Sequence, residues 1–114
     1  MYWASICDAF AAHFDKDMNV KFISSGLCSP YAVINGEERM TEYLEKGVFD
    51  LKEGDRVFIF TDGFEHYVKN NNFLKNFKDW NDNLEKRIGE FSKEMNHKDP
   101  ENYGHERSLI AVLV

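Results

Sequence analysis

The sequence lacks a long apolar run, a leader-like N-terminus and an excess of basic residues. No apolar run approaches the roughly 18 residues typical of a membrane span. The N-terminus also lacks the basic region and apolar segment of a signal peptide. Lys and Arg number 14 against 20 Asp and Glu, which gives a formal net charge of −6. Because an acidic surface repels phosphate backbones, we expect no nucleic acid as partner. Because no apolar run is long enough, we expect no membrane as partner either.

Cysteine is scarce, with Cys7 and Cys28 as the only two in the sequence. Their spacing is not that of metal ligands, and we expect reduced core thiols in a cytoplasmic protein instead of a disulfide. Internal repeats and linkers are also absent, so residues 1–114 are expected to form one domain. Ten Phe within an aromatic content of 15% indicate that this domain has a packed core.

The first half of the chain has the pattern of antiparallel strands. Residues 4–14 fit a helix or a strand, and the polar turn that follows favours the strand. Asn35-Gly36 is a strong hairpin signal. We expect turns at 15–19 and 26–30 and strands at 4–14, 20–25 and 31–34. Residues 37–50 are weakly patterned, with a short helical turn or irregular structure expected at 41–44.

The stretch from Leu51 to Phe64 predicts a turn, a buried strand and an acid at the end of that strand. Lys52 to Asp55 has turn chemistry, and the apolar run Val57 to Phe60 suits a strand covered on both faces. Asp62 follows at once. A carboxylate there is held by rigid scaffold yet reaches solvent, which is typical of ligands and catalytic acids. Asp62 is equally placed to cap a short helix that runs to about Val68.

The C-terminal part of the chain predicts helices followed by a strand. A short helix presents Phe73, Phe77 and Trp80 on one face, after a break at 69–72. A second helix, with Asp82 as its cap, has an apolar stripe of Leu84, Ile88, Phe91 and Met95. A polar loop is expected at 97–104 and a fully buried strand at 108–114. The order of elements predicts an α+β fold, with C-terminal helices packed on a mostly antiparallel sheet.

Three segments in this order carry a resemblance to a known family. Residues 20–26 followed by 30–34 resemble its strand, glycine turn and strand; residues 51–63 resemble its Gly-Asp, apolar strand and Thr-Asp-Gly motif. Residues 106–112 resemble its closing strand. Together they resemble the C-terminal half of the metal-dependent protein phosphatases of the 2C type (the PPM family), in particular the bacterial branch that includes the sporulation stage II phosphatase. The resemblance covers nearly the whole chain.

The resemblance implies half of an α-β-β-α sandwich and a two-metal hydrolase. In that family Mg²⁺ or Mn²⁺ ions activate a water that attacks phosphoserine or phosphothreonine of a phosphoprotein. By position, Asp62 matches a metal-binding aspartate and Gly63 the glycine of the turn beside it. His105 and Glu106 stand where the family has its final acidic pair. They are therefore candidate metal ligands, with a solvated loop end before the last strand as the alternative.

The departures from the family pattern define the other hypotheses. The family's Asp-Gly-x-Gly motif is missing, so we expect a fragment or a degenerate relative that is a poor catalyst alone. A pseudophosphatase that binds a protein partner is the alternative, and an unrelated α+β protein is a weaker one. An exposed half-domain surface predicts partner docking or a homodimer. A cation held by Asp62, His66 and His105 is a further hypothesis, and His13 and His97 are expected at the surface or in hairpins.

Overall fold

The computed structural model describes residues 2–6, 9–24 and 44–114. The strands of this part are β1 Tyr2–Ile6, β2 Ala9–Phe14, β3 Val20–Ile23, β4 Leu44–Val48, β5 Arg56–Thr61 and β6 Leu109–Leu113. The helices are α1 Glu65–Val68, α2 Asn71–Leu74, α3 Leu84–Lys98 and α4 Pro100–Tyr103, with 3₁₀ turns at Asp62–Phe64 and Lys75–Phe77. The expectations for Cys7, Cys28 and residues 25–43 lie outside the described residues. No helix of the described part is both long and apolar enough to cross a membrane.

The central element is an antiparallel sheet of four strands in the order β3-β2-β5-β6. Strand β5 lies inside it, because β5 pairs with β2 from Arg56 opposite Phe14 to Thr61 opposite Ala9. On its other side β5 pairs with β6 from Arg56 opposite Leu113 to Phe60 opposite Leu109. Strands β1 and β4 form a separate antiparallel pair. With the helices after β5, this confirms the predicted α+β fold.

The turn between β2 and β3 forms where the sequence predicts it. Asp15 Oδ1 accepts hydrogen bonds from the backbone N–H groups of Asp17 and Asn19, both at 2.9 Å. Met18 takes a positive φ of 64° within the turn. A carboxylate that satisfies local N–H groups is the usual reason for Asp at such a position, and it starts the hairpin that places β3 at the edge of the sheet.

One face of the four-stranded sheet carries the main core. Phe14 and Phe58 lie on this face, and the Phe58 ring lies 4.8 Å from that of Phe14 and 4.5 Å from that of Phe77. Leu84 of α3 is buried here too, and Ile88, Phe91 and Met95 pack against the same cluster. The predicted apolar stripe of the long helix is therefore confirmed.

The opposite face is only partly covered, which corrects two predictions of full burial. Val57 is buried in a small cluster with Ala11 and Phe49. Farther along the same face, Ile59 is 43% exposed and Ile110 is 62% exposed. Among the described residues, strand β5 is therefore not covered on both faces, and β6 is an edge strand instead of a buried one.

Several local predictions were wrong, either in the position of a helix cap or in the type of element. The N-cap position of the first 3₁₀ turn is Thr61, not Asp62, and that of α3 is Asn83, not Asp82. Residues 97–104 are mostly helical, because α3 continues to Lys98 and Asp99 caps α4 by accepting a hydrogen bond from the N–H of Asn102. Strand β4, at 44–48, was not predicted.

Candidate functional site

The predicted site begins at Asp62, where β5 ends against the start of β6. The N–H of Thr61 donates to the carbonyl of Ser108 at 3.1 Å, and the N–H of Ser108 donates to Thr61 Oγ1 at 2.9 Å. These two bonds fasten the ends of the strands together. Asp62 comes next, as an exposed residue at the start of the 3₁₀ turn. A carboxylate thus leaves the central part of the sheet beside the closing strand.

Gly63 fits a place in which no larger residue has room. A Cβ atom at Gly63 would overlap the carbonyl oxygen of Glu106 and would lie 2.7 Å from the Cβ of Arg107. The tight turn predicted at Gly63 is therefore explained by close approach between two segments. This approach places the Asp62–Gly63 pair directly beside Glu106.

Arg107 holds the segment before β6 against the helices. Its guanidinium lies 5.2 Å from the ring centroid of Tyr67 and 5.9 Å from that of Phe64, distances at which a cation is attracted to the aromatic face. Its Nη1 donates to the carbonyl of His105 at 2.8 Å, and its Nη2 donates to Ser92 Oγ. Because these partners come from three elements, the position of Glu106 is set by the packing around Arg107.

The two remaining candidate ligands are exposed. His105 Nε2 lies 2.6 Å from the carbonyl oxygen of Glu101, so this nitrogen donates to the backbone and is not available to a metal ion. The described residues contain no group of three His, Cys, Asp or Glu side chains that could hold a metal ion. The structure therefore places Gly63, the residue after Asp62, against the backbone of Glu106, and it turns His105 toward Glu101.

A second polar site lies at the opposite end of β5 and was missed by sequence reasoning. His13 is buried on β2, and its Nε2 lies 2.7 Å from Asp55 Oδ2. The backbone N–H of Lys52 also donates to Asp55 Oδ2, at 3.0 Å. Both hydrogen bonds hold the pKa of Asp55 below its usual value, and the bond from Lys52 has the larger effect. His13 does lie in a hairpin, opposite Phe22 of β3, but it is buried there and is not a surface residue.

A cavity of about 780 Å³ opens beside this pair. Its lining mixes charges of both signs with apolar side chains and includes Lys16, Lys21, Asp15, Glu53 and Phe49. Such a mixed lining favours no single class of ligand. Asp55 and Asp62 are seven residues apart on one extended segment, or about 23 Å at 3.3 Å per residue, so the two sites are separate.

Comparisons with models of protein families, with curated proteins and with solved structures give no match for this chain. The structure itself supports the α+β class, with a four-stranded antiparallel sheet and C-terminal helices.

Proposed function

We propose that this chain is a cytoplasmic phosphatase 2C-like half-domain. In the intact domain Asp62 contributes a carboxylate to a Mg²⁺ or Mn²⁺ site that hydrolyses phosphoserine or phosphothreonine on a protein. The observation that supports this proposal is the placement of Asp62. It directly follows β5, a strand with neighbours on both sides, and the next residue, Gly63, lies against the backbone of Glu106 just before β6.

The chemistry of the two acids is consistent with this role. Small divalent cations prefer oxygen ligands, and a bound cation lowers the pKa of its water and neutralises charge on phosphoryl oxygens. Asp62 is exposed, and no hydrogen bond within the described residues engages its carboxylate. Its oxygens are therefore free to coordinate an ion.

Asp62 and Glu106 alone are too few ligands for two metal ions. Mg²⁺ takes six oxygen ligands, and Ca²⁺ takes six to eight. We therefore expect this chain alone to bind Mn²⁺ weakly, with a dissociation constant on the order of 1 mM, the range of the weakest carboxylate sites. We expect no measurable turnover without further ligands.

The alternative function is a non-catalytic module that binds a protein partner. The face of the sheet away from the helices supports it, because Ile59, Ile110 and Val112 are 43%, 62% and 48% exposed there. Registry places Ile59 directly opposite Ile110, so these side chains form one apolar strip. Exposed apolar strips of this kind mark interaction surfaces.

A Mn²⁺ titration followed by amide NMR tests the proposal on the chain as it is. Paramagnetic broadening should begin at residues 62, 63 and 106 and should disappear in the Asp62→Asn variant. Asp82→Asn is the matched control, because Asp82 is also an exposed acid just outside a helix. Its titration should equal that of the wild type.

Hydrolysis of p-nitrophenyl phosphate in the same samples separates the two functions. Turnover that Asp62→Asn abolishes would establish a working metal site in this chain. Broadening without turnover supports a half-site that needs further ligands. If broadening is absent at residue 62, or unchanged in Asp62→Asn, the metal role is refuted and the partner-binding module remains.

A further inference from the structure

The edge strand β6 has none of the features that normally prevent strand-to-strand association. Within the described residues, no strand pairs with β6 on the side away from β5. The strand reads Leu-Ile-Ala-Val-Leu and contains no charge, proline or glycine. Edge strands of monomeric proteins usually carry a lysine, a proline or a bulge. The opposite edge does so: β3 contains Lys21, and its pairing with β2 is irregular between His13 and Phe14.

The hydrogen bonds to β5 determine which backbone groups of β6 face outward. The N–H of Thr61 donates to the carbonyl of Ser108, and the N–H of Val114 donates to the carbonyl of Asp55. Residues of an antiparallel strand alternate between bonding to one neighbour and to the other. The even-numbered residues 108–114 therefore bond to β5. Leu109, Ala111 and Leu113 direct their N–H and C=O groups to the open edge.

We propose that β6 pairs in antiparallel fashion with β6 of a second copy of this chain, about a two-fold axis at Ala111. In this register Ala111 faces Ala111 of the second copy, and Leu109 faces Leu113. Each of these three facing pairs exchanges two backbone hydrogen bonds, because all its members point outward. The interface is isologous, as a two-fold axis requires. This inference does not depend on the phosphatase proposal.

The side chains on both faces of β6 are suited to this pairing. On the open face, Ile110 lies opposite Val112 of the second copy, which covers two residues that are 62% and 48% exposed in the monomer. On the helix side, Leu113 of the second copy lies beside Leu109. Leu109 lines a cavity of about 400 Å³ together with Trp80 and Ile88. Both contacts remove apolar surface from water.

Local charge does not oppose a second copy at this edge. The chain carries a formal net charge of −6, which makes copies repel one another in most orientations. Residues 107–114 contain no acid, and their one charged side chain is Arg107. Arg107 is itself folded back over Tyr67 and Phe64. The edge of β6 is thus a region where two acidic chains can approach without opposing carboxylates.

The size of the contact sets the expected affinity. We expect two five-residue strands and their flanking side chains to bury less than the roughly 1,200 Å² found in lasting complexes. We therefore expect a reversible dimer with a dissociation constant on the order of 10 µM. Sedimentation velocity should show the mass rising from 13.4 kDa at low micromolar concentration toward twice that value at several hundred micromolar.

Two lysine variants make the test specific for β6. Ile110→Lys places a charge on the strand without disturbing the core, because Ile110 is 62% exposed; it should remain a monomer at all concentrations. Val20→Lys is the matched control on the opposite edge strand, at a residue that is 53% exposed; it should dimerise like the wild type. A wild-type chain that stays at 13.4 kDa throughout would overturn the proposal and leave the edge to a different partner.

Disulfide cross-linking tests the register, in a background with Cys7→Ser and Cys28→Ser. Ala111→Cys should cross-link to itself on oxidation, because hydrogen-bonded antiparallel partners have Cα atoms about 5.5 Å apart, within the disulfide range. Leu113→Cys should not cross-link to itself, since it faces Leu109. It should do so when mixed with Leu109→Cys. Self-cross-linking of Leu113→Cys with none at Ala111→Cys would exclude the proposed register with its axis at Ala111.

Discussion

His13 and Asp55 are 42 residues apart in the sequence, and their side chains meet across 2.7 Å inside the protein. Both residues are buried, at 7% exposure each. The pKa of Asp55 lies below its usual value, so it is the ionised acceptor and His13 Nε2 is the donor. The pair joins strand β2 to the turn that precedes β5. The ionised carboxylate of Asp55 therefore helps to hold β2 and β5 in their antiparallel register.

Replacing Asp55 with Asn should make stability less sensitive to acid. A carboxyl whose pKa is lower in the folded state contributes stability above its unfolded pKa of about 3.9, and that contribution is lost as the pH falls through the folded value. At pH 7 we expect Asp55→Asn to reduce the free energy of unfolding by about 1–3 kcal/mol. The difference from the wild type should shrink toward pH 3, as urea denaturation at several pH values would show.

Asp82→Asn is the control for this experiment, because Asp82 is exposed and lies in a turn. Its pH profile should follow that of the wild type. If Asp55→Asn and the wild type lose the same stability between pH 7 and pH 3, Asp55 does not carry the acid dependence.

Alanine at Gly63 and at Gly89 should change stability in opposite directions. A Cβ at Gly63 overlaps the backbone carbonyl of Glu106, and backbone has little room to move. We expect Gly63→Ala to cost about 1–3 kcal/mol, in the range of overpacked sites. A Cβ at Gly89 has no atom within 4 Å, and Gly89 lies inside α3. There alanine should add about 0.5–1 kcal/mol through its helix propensity.

The melting temperatures of the two variants test this prediction, and each variant is the control for the other. A melting temperature that rises in Gly63→Ala would show that the segment before β6 does not approach β5 as closely as described. A melting temperature that falls in Gly89→Ala would indicate an unrecognised contact on the exposed side of α3.

Arg56→Met should weaken the attachment of the helical layer to the sheet. Arg56 is buried at the start of β5, and its guanidinium donates to the carbonyls of Phe77 and Lys78, each at 2.9 Å, and to that of Gly54. Methionine keeps much of the volume and leaves these carbonyls without their donor. We expect a loss of about 2–3 kcal/mol in the free energy of unfolding, since the lost hydrogen bonds are charge-assisted.

Lys93→Met provides the comparison, because it removes an exposed cation from α3. Its free energy of unfolding should change by less than about 0.5 kcal/mol. Hydrogen exchange adds a local readout: the amides of 75–78 should lose protection in Arg56→Met. Equal protection in both variants would contradict the anchoring role of Arg56.

The sequence predicted best those features that depend on local chemistry. The turn at 15–19 formed because Asp15 satisfies nearby N–H groups, which needs no distant partner. The stripe from Leu84 to Met95 formed because its spacing fits one helix face. The position of Asp62 after a strand followed from the abrupt end of an apolar run. The close approach of Gly63 to the backbone of Glu106 needs a partner 43 residues away and was not visible in the local pattern.

The features that were missed depend on partners far along the chain. An apolar run shows that β6 is a strand, but whether both of its sides are occupied depends on the arrangement of the whole sheet. Residues 44–48 contain Glu45, Lys46 and Gly47, and they form β4 by pairing with β1, a choice that propensity does not predict. His13 lacked a visible partner because Asp55 reads locally as a turn residue. The metal-ligand set implied by the resemblance remains a prediction, since the described residues supply no group of three ligands.

The central place of β5 has a consequence for biosynthesis. Its neighbours β2 and β6 lie on either side of it in the sequence, and β6 leaves the ribosome after every other described strand. At elongation rates of about 5–20 residues per second, several seconds pass between the synthesis of β5 and that of β6. One side of β5 has no partner strand during this time. During that interval the nascent chain presents an apolar strand to its surroundings, and a chaperone that binds extended apolar segments would find its target there.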